Sequence, residues 1–226
     1  MRTILIPGLG ADAELFAPQK AALGRELTVI LPKLDQLQES FTAAAEHLAH
    51  LMKHLGMTRE PFQLGGMSFG GSMAVEMTRF LDRKPERLML IAANRTRATL
   101  PTRFAIARTL GGLAPKSVAP STLRRLAGFF AWREKLDADD TERLRGIAER
   151  VDYPLLMAGS KSIAGWRFND DDAEAQGVPI RQIHGRGDWV IPPVRDHVTD
   201  WIDDGRHLIN WTHAERVNAW LTDVPA

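Results

Sequence analysis

Cysteine is absent from these 226 residues. That excludes a disulfide framework, a thiolate metal site and a cysteine nucleophile. An excess of charge is also missing: 29 Lys and Arg stand against 28 Asp and Glu, a formal net charge of +1. Such balance argues against a surface that coats nucleic acid and against an acidic tail. No apolar run approaches the roughly 20 residues of a membrane span. The opening apolar stretch, residues 3–6, is too short for the core of a signal peptide. A cytoplasmic protein with no nucleic-acid or membrane partner is therefore expected. Internal repeats and low-complexity tracts are lacking too. What remains is a 44% hydrophobic fraction, enough for one sizeable core.

Five apolar runs with an aliphatic or β-branched bias read as strands: residues 3–6, 27–31, 62–65, 87–92 and 179–184. A weaker sixth lies at 198–202. Near-continuous apolar runs of this length suit parallel strands buried on both faces. Helical spacing alternates with them. Phe41, Ala45, Leu48, Met52 and Leu55 form one face, Met73, Met77, Phe80 and Leu81 a second, and Val217, Trp220 and Leu221 a third. Strands alternating with helices predict an α/β fold: a six-stranded, mostly parallel sheet with helices on both faces. Residues 96–177 break the alternation. They show no strand pattern and helical stretches at 103–110, 122–132, 141–151 and 154–166. The chain is thus expected to divide into a core of residues 1–95 and 178–226 and a helical insertion of residues 96–177.

The most specific signal is Gly66-Met67-Ser68-Phe69-Gly70, set between an apolar run and a helical pattern. Gly-x-Ser-x-Gly in that setting is a nucleophile elbow, which lifts a strained serine above the sheet. A serine hydroxyl needs a histidine as general base, and the imidazole needs a carboxylate to fix its tautomer. Asp188, after Gly185-Arg186-Gly187, stands past the end of a buried strand, where an open parallel sheet places its ligand site. Its alternative role is to cap the turn after Gly187. His207 follows the last strand and gives the order Ser68, Asp188, His207. His213 is the second candidate base; it sits in Thr212-His213-Ala214-Glu215, which reads as a capping box. His184 reads as a structural hydrogen-bonding group. His47, His50 and His54 fall on a helix without a third ligand, so no metal site is expected. The backbone N–H groups of Leu9, in Pro7-Gly8-Leu9-Gly10, and of Phe69 are the candidate oxyanion donors.

These segments resemble the α/β-hydrolase superfamily in its small, capped, esterase-like form. The carriers are Pro7 to Asp12, Gly66 to Gly71, His184 to Asp188 with Ile191-Pro192, and Gly205-Arg206-His207. The resemblance implies the minimal fold of that family, with the insertion as its helical cap. It departs from the family in Pro7, where His is frequent, and in Arg206, whose long side chain stands beside the candidate base. Only nineteen positions separate Asp188 from His207 (207 − 188), so the helix between them should shrink to about one turn.

By resemblance, the expected activity is hydrolysis of a small-molecule carboxylic ester or thioester through an acyl-enzyme on Ser68, with no cofactor. The alternatives are C–C hydrolysis, perhydrolysis or lyase chemistry on the same machinery, or a weakly catalytic ligand-binding protein. Phe104, Leu110, Leu113, Leu126, Phe129, Phe130, Trp132, Leu155, Leu156 and Trp166 are divided between roofing an apolar acyl pocket and packing the insertion onto the sheet. Arg95, Arg97 and Arg103 read as solvated, with a substrate anion as their alternative partner. Asp170-Asp171-Asp172 reads as an exposed loop.

Overall fold

Six strands pair in the order β2-β1-β3-β4-β5-β6, every pair parallel. The structure, a computed structural model, describes residues 1–96, 120–167 and 177–223. The strands are β1 (Arg2–Ile6), β2 (Leu27–Val29), β3 (Phe62–Met67), β4 (Leu88–Ile91), β5 (Ile180–Gly185) and β6 (Asp200–Ile202). The helices are α1 (Ala17–Leu23), α2 (Leu34–Glu39), α3 (Phe41–His54), α4 (Phe69–Met77), α5 (Pro120–Glu134), α6 (Ala138–Glu149), α7 (Tyr153–Ala164), α8 (Ile209–Thr212) and α9 (Ala214–Thr222). Among the described residues, no helix is long and apolar enough to cross a membrane.

Strand side chains alternate between two cores, as a pleated sheet requires. Ile4, Ile6, Phe62, Leu64, Leu88 and Leu90 enter the core built with α3, α4 and part of α7. Leu5, Met67, Met89, Ile91 and Ile183 enter the opposite core, with Phe16, Trp211, Val217, Trp220 and Leu221. Because β1 is flanked by β2 and β3, the connections leaving β1 and β3 run to opposite sides of the sheet. A crevice opens at their carboxyl ends, the usual place for a ligand in such a sheet.

Between β4 and β5 the described chain holds α5, α6 and α7 and no strand. Helices α5 and α6 pack on each other, while α7 packs on α2 and α3. Trp166, just past α7, is buried against Phe41, and its Nε1 donates to Glu76 Oε2 at 2.9 Å. It therefore belongs to the core, not to a pocket roof. Phe104, Leu110, Leu113, Arg97, Arg103, the helix at 103–110 and Asp170 to Asp172 lie outside the described residues.

Several local expectations change. Helix α1 was unmarked by apolar periodicity, although Pro18 in its first turn and Gly24 after its end are start and stop signals. Thr212 does not cap α9. Its Oγ1 bonds back to the Leu208 carbonyl at 3.2 Å, because residues 209–212 form a helical turn of their own. The segment between Asp188 and His207 does shrink, to a single 3-10 turn at Arg195–His197 before β6.

The turn from β3 into α4 is steric bedrock. A Cβ on Gly70 would lie 2.0 Å from the Ile6 carbonyl oxygen and 2.5 Å from that of Pro7. These are backbone atoms and cannot rotate away. Alanine would gain roughly 1 kcal/mol in helix propensity over glycine, which such an overlap far exceeds. Gly70→Ala should cost at least about 3 kcal/mol, the upper range for overpacking, and lower the melting temperature by roughly 6–12 °C. Thermal denaturation followed by circular dichroism checks this; an unchanged midpoint would mean that α4 sits further from β1 than described.

Candidate active site

Ser68 occupies the bend between β3 and α4, with φ 54° and ψ −120°. That is a left-handed conformation that non-glycine residues rarely hold, and its retention marks a site that the surrounding packing over-determines. The Ser68 N–H donates to the Ile91 carbonyl at 3.0 Å, which ties the bend to the end of β4. Phe69 opens α4, so its N–H is among the first four of the helix, which have no partner within it. The Phe69 ring is fixed edge-on against Phe41, with centroids 5.2 Å apart.

The loop after β1 runs beside this bend. A Cβ on Gly8 would stand 3.7 Å from that of Ser68. The Ala11 N–H closes a turn onto the Gly8 carbonyl at 3.0 Å, with Gly10 at φ +77°. The Leu9 side chain lies against α7 where Gly159 leaves room for it.

Asp188 and His207 arrive on the loops after β5 and β6. Backbone bonds lace these loops together: Arg186 N–H to the Ile202 carbonyl at 3.0 Å and Gly187 N–H to the Gly205 carbonyl at 2.9 Å. The Asp188 carboxylate is ringed by donors. Oδ1 accepts from the N–H groups of Val190 (2.9 Å) and Ile191 (2.8 Å). Oδ2 meets His207 Nδ1 at 2.8 Å and His184 Nε2 at 3.0 Å. Burial alone would raise the pKa of this carboxyl. The adjoining His207 and the hydrogen bonds from both imidazoles outweigh it and hold the group well below the usual carboxylate range.

His184 is a partner that sequence reasoning placed only as structural. Its Nε2 also faces the Ile191 carbonyl at 2.9 Å, an oxygen that can only accept, so Nε2 carries a proton. Its Nδ1 then accepts from Gln182 Nε2 at 3.3 Å. The signal was available: β5 ends at Gly185, and the Gly-rich turn brings Asp188 back over the residue four positions earlier. His213 lies elsewhere. Its Nε2 meets Asp204 at 3.0 Å and its Nδ1 meets Thr212, on the surface. Arg206 does not line the cavity that holds Ser68: its guanidinium donates to the Arg133 carbonyl near the end of α5.

Ser68, His207 and Leu9 line one cavity of about 430 Å³. Its described walls are otherwise apolar, with Leu123, Leu126, Ala127 and Phe130 from α5, Leu144 and Ile147 from α6, and Leu156 from α7. Arg95 is not among them. Leu126, Phe129 and Trp132 are largely exposed, so α5 presents apolar side chains to solvent as well as to the cavity.

The sequence matches the model of the alpha/beta hydrolase family over residues 3–220. No curated protein sequence matches it. Solved structures resemble it in fold at low identity. A thermophilic esterase from Thermogutta terrifontis is 21% identical with a TM-score of 0.77, over 98% of this chain and 88% of that one. An enol-lactonase from Burkholderia xenovorans is 17% identical, with a TM-score of 0.72 over 98% and 90%. A meta-cleavage product hydrolase from Pseudomonas fluorescens is 18% identical, with a TM-score of 0.72 over 98% and 89%. With a six-stranded parallel sheet, a strained serine at the β3–α4 bend and a family match spanning nearly its whole length, this chain belongs to the alpha/beta hydrolase family.

Proposed function

We propose that this protein is a serine hydrolase that cleaves carboxylic esters, or thioesters, of small molecules with an uncharged, apolar acyl group. The observation that carries this reading is the cavity itself: Ser68 and His207 share it with a wall of aliphatic side chains and Phe130. In this mechanism the Ser68 oxygen attacks the acyl carbon while His207 Nε2 takes the hydroxyl proton. The oxyanion is held by the N–H groups of Leu9 and Phe69, each such donor contributing a factor of about 10²–10³. The tetrahedral intermediate expels the alcohol or thiol, which receives the proton from His207. Water then attacks the acyl-enzyme, activated by the same imidazole, and releases the acid. Asp188 keeps Nδ1 protonated throughout. Helices α5 and α6, with Leu156 of α7, act as a cap that supplies much of the acyl pocket. The enol-lactonase and meta-cleavage product hydrolase neighbours mark reactions that the same groups would support with another leaving group.

The test is a series of p-nitrophenyl esters of increasing acyl length. A buried methylene is worth about 0.8 kcal/mol, so kcat/KM should rise by about fourfold per methylene until the cavity is full. Succinyl and other anionic acyl groups should be rejected, because the described lining offers no cationic side chain unless His207 is protonated. A flat length profile, or a preference for anionic acyl groups, would overturn the apolar assignment.

A further inference from the structure

Glu134 ends α5, and it is only 2% exposed. Glutamate is almost never so buried unless it has partners. Its partners are chosen unusually. Oε1 accepts from Trp189 Nε1 at 2.6 Å, and Oε2 accepts from the Leu208 N–H at 2.9 Å. Trp189 directly follows Asp188, and Leu208 directly follows His207. One carboxylate from the helical insertion thus binds the neighbours of both residues in the Asp188–His207 pair. Other contacts converge on the same helix end. Phe130 stands edge-on to His207, with centroids 6.5 Å apart, and tilted against Trp189 at 5.3 Å. The Arg133 guanidinium covers the Trp189 ring at 5.2 Å, and Arg206 donates to the Arg133 carbonyl.

We propose that Glu134 is a positioning residue of the hydrolase. It fixes the backbone after His207 and the indole after Asp188, so that the imidazole is held between the acid and Ser68 only when the end of α5 is docked. This role rests on the serine-hydrolase reading. Two properties favour positioning over mere anchoring of the insertion. Both bonds land one residue from the reacting pair, and both are accepted by a charged group, which makes them short and directional.

The variants are Glu134→Gln, Glu134→Leu and Trp189→Phe. Glutamine keeps one acceptor oxygen and turns an amide N–H toward the other donor. Leucine removes both acceptors, and Trp189→Phe removes one donor without touching the carboxylate. A displacement of about 1 Å at a reacting group costs about 10²-fold. Glu134→Leu should therefore lose about 100-fold in kcat and Glu134→Gln and Trp189→Phe about tenfold, with KM within about threefold of wild type. Labelling of Ser68 by a small fluorophosphonate should slow by the same factors, since that probe leaves the acyl pocket largely empty. Wild-type kcat and labelling rates in the folded fraction of Glu134→Gln and Trp189→Phe would overturn the proposal, whatever their melting temperatures. The far-downfield proton resonance of His207 Nδ1–H reads the same geometry without turnover, and it should move or broaden in Glu134→Gln. An inactive, unlabelled wild type whose resonance still responds would sink the hydrolase reading and leave the positioning in place. An unmoved resonance would remove the positioning alone.

Discussion

Ser68→Ala is expected to lower kcat on the best ester by about 10⁶-fold, the scale seen when a triad nucleophile is deleted. Without the hydroxyl no acyl-enzyme forms, and only binding and the Leu9 and Phe69 N–H groups remain to favour attack by water. The fold should not change. The Ser68 side chain makes no capping bond to α4, and alanine carries the same Cβ at φ 54°. The melting temperature should stay within about 2 °C. Fluorophosphonate labelling with intact-mass detection checks the chemistry independently of substrate choice: wild type should gain one adduct and the variant none. A purified variant that keeps a tenth of the wild-type rate would end the mechanism, because the serine would then lie outside the reaction. A wild type that neither labels nor turns over any ester would favour a ligand-binding hydrolase fold.

Sequence pattern was most informative where side chains must enter a two-sided sheet. The inner strands β1, β3, β4 and β5 are legible as apolar runs, within one or two residues of their observed ends, because they are largely buried on both faces. The edge strands β2 and β6 are only partly buried, and the run at β6 is the weaker for it. Helix α4 shows the limit of periodicity. Every residue from Phe69 to Met77 is buried, so no polar face exists to set a 3.6-residue rhythm. The apolar spacing suggested a helix reaching residue 81. In fact α4 ends at Met77, and Phe80 and Leu81 follow from tight turns such as Arg79 N–H to the Glu76 carbonyl. The bend residues were legible because the turn admits few side chains: Gly66 and Gly70 stand where any Cβ would strike backbone. The pairing of Asp188 with His207 followed from chain order and strand ends. The roles of His184 and Glu134 did not. Glu134 reaches its partners across 55 and 74 residues, and no local spacing announces a contact made by packing an insertion onto two loops. Arg206 is the converse case. In sequence it threatens to charge the site, and in space it leaves for α5.

Asp188→Asn should lower kcat by about 10⁴-fold, the cost of fixing the wrong tautomer in such a triad. The four donors around Asp188 explain why the isosteric change is so damaging. An asparagine has one acceptor oxygen and one donor NH₂. With its oxygen toward the N–H groups of Val190 and Ile191, its NH₂ faces His207 Nδ1 and His184 Nε2. His207 must then move its proton to Nε2, where a base for Ser68 needs a lone pair. With the amide reversed, the NH₂ meets two backbone donors and the loop after β5 is left unsatisfied. Either outcome also affects stability in acid. The Asp188 pKa is depressed in the folded protein, while the unfolded value is near 3.9. Its ionised form therefore adds stability that is fully present above about pH 4 and is lost as the pH falls through the lower folded value. The stability gap between wild type and Asp188→Asn should narrow as the solution is taken below about pH 4. Urea unfolding at each pH checks the sign. A gap that widens in acid would mean that burial outweighs the two imidazoles and raises the Asp188 carboxyl above its unfolded value, against the direction its four donors set.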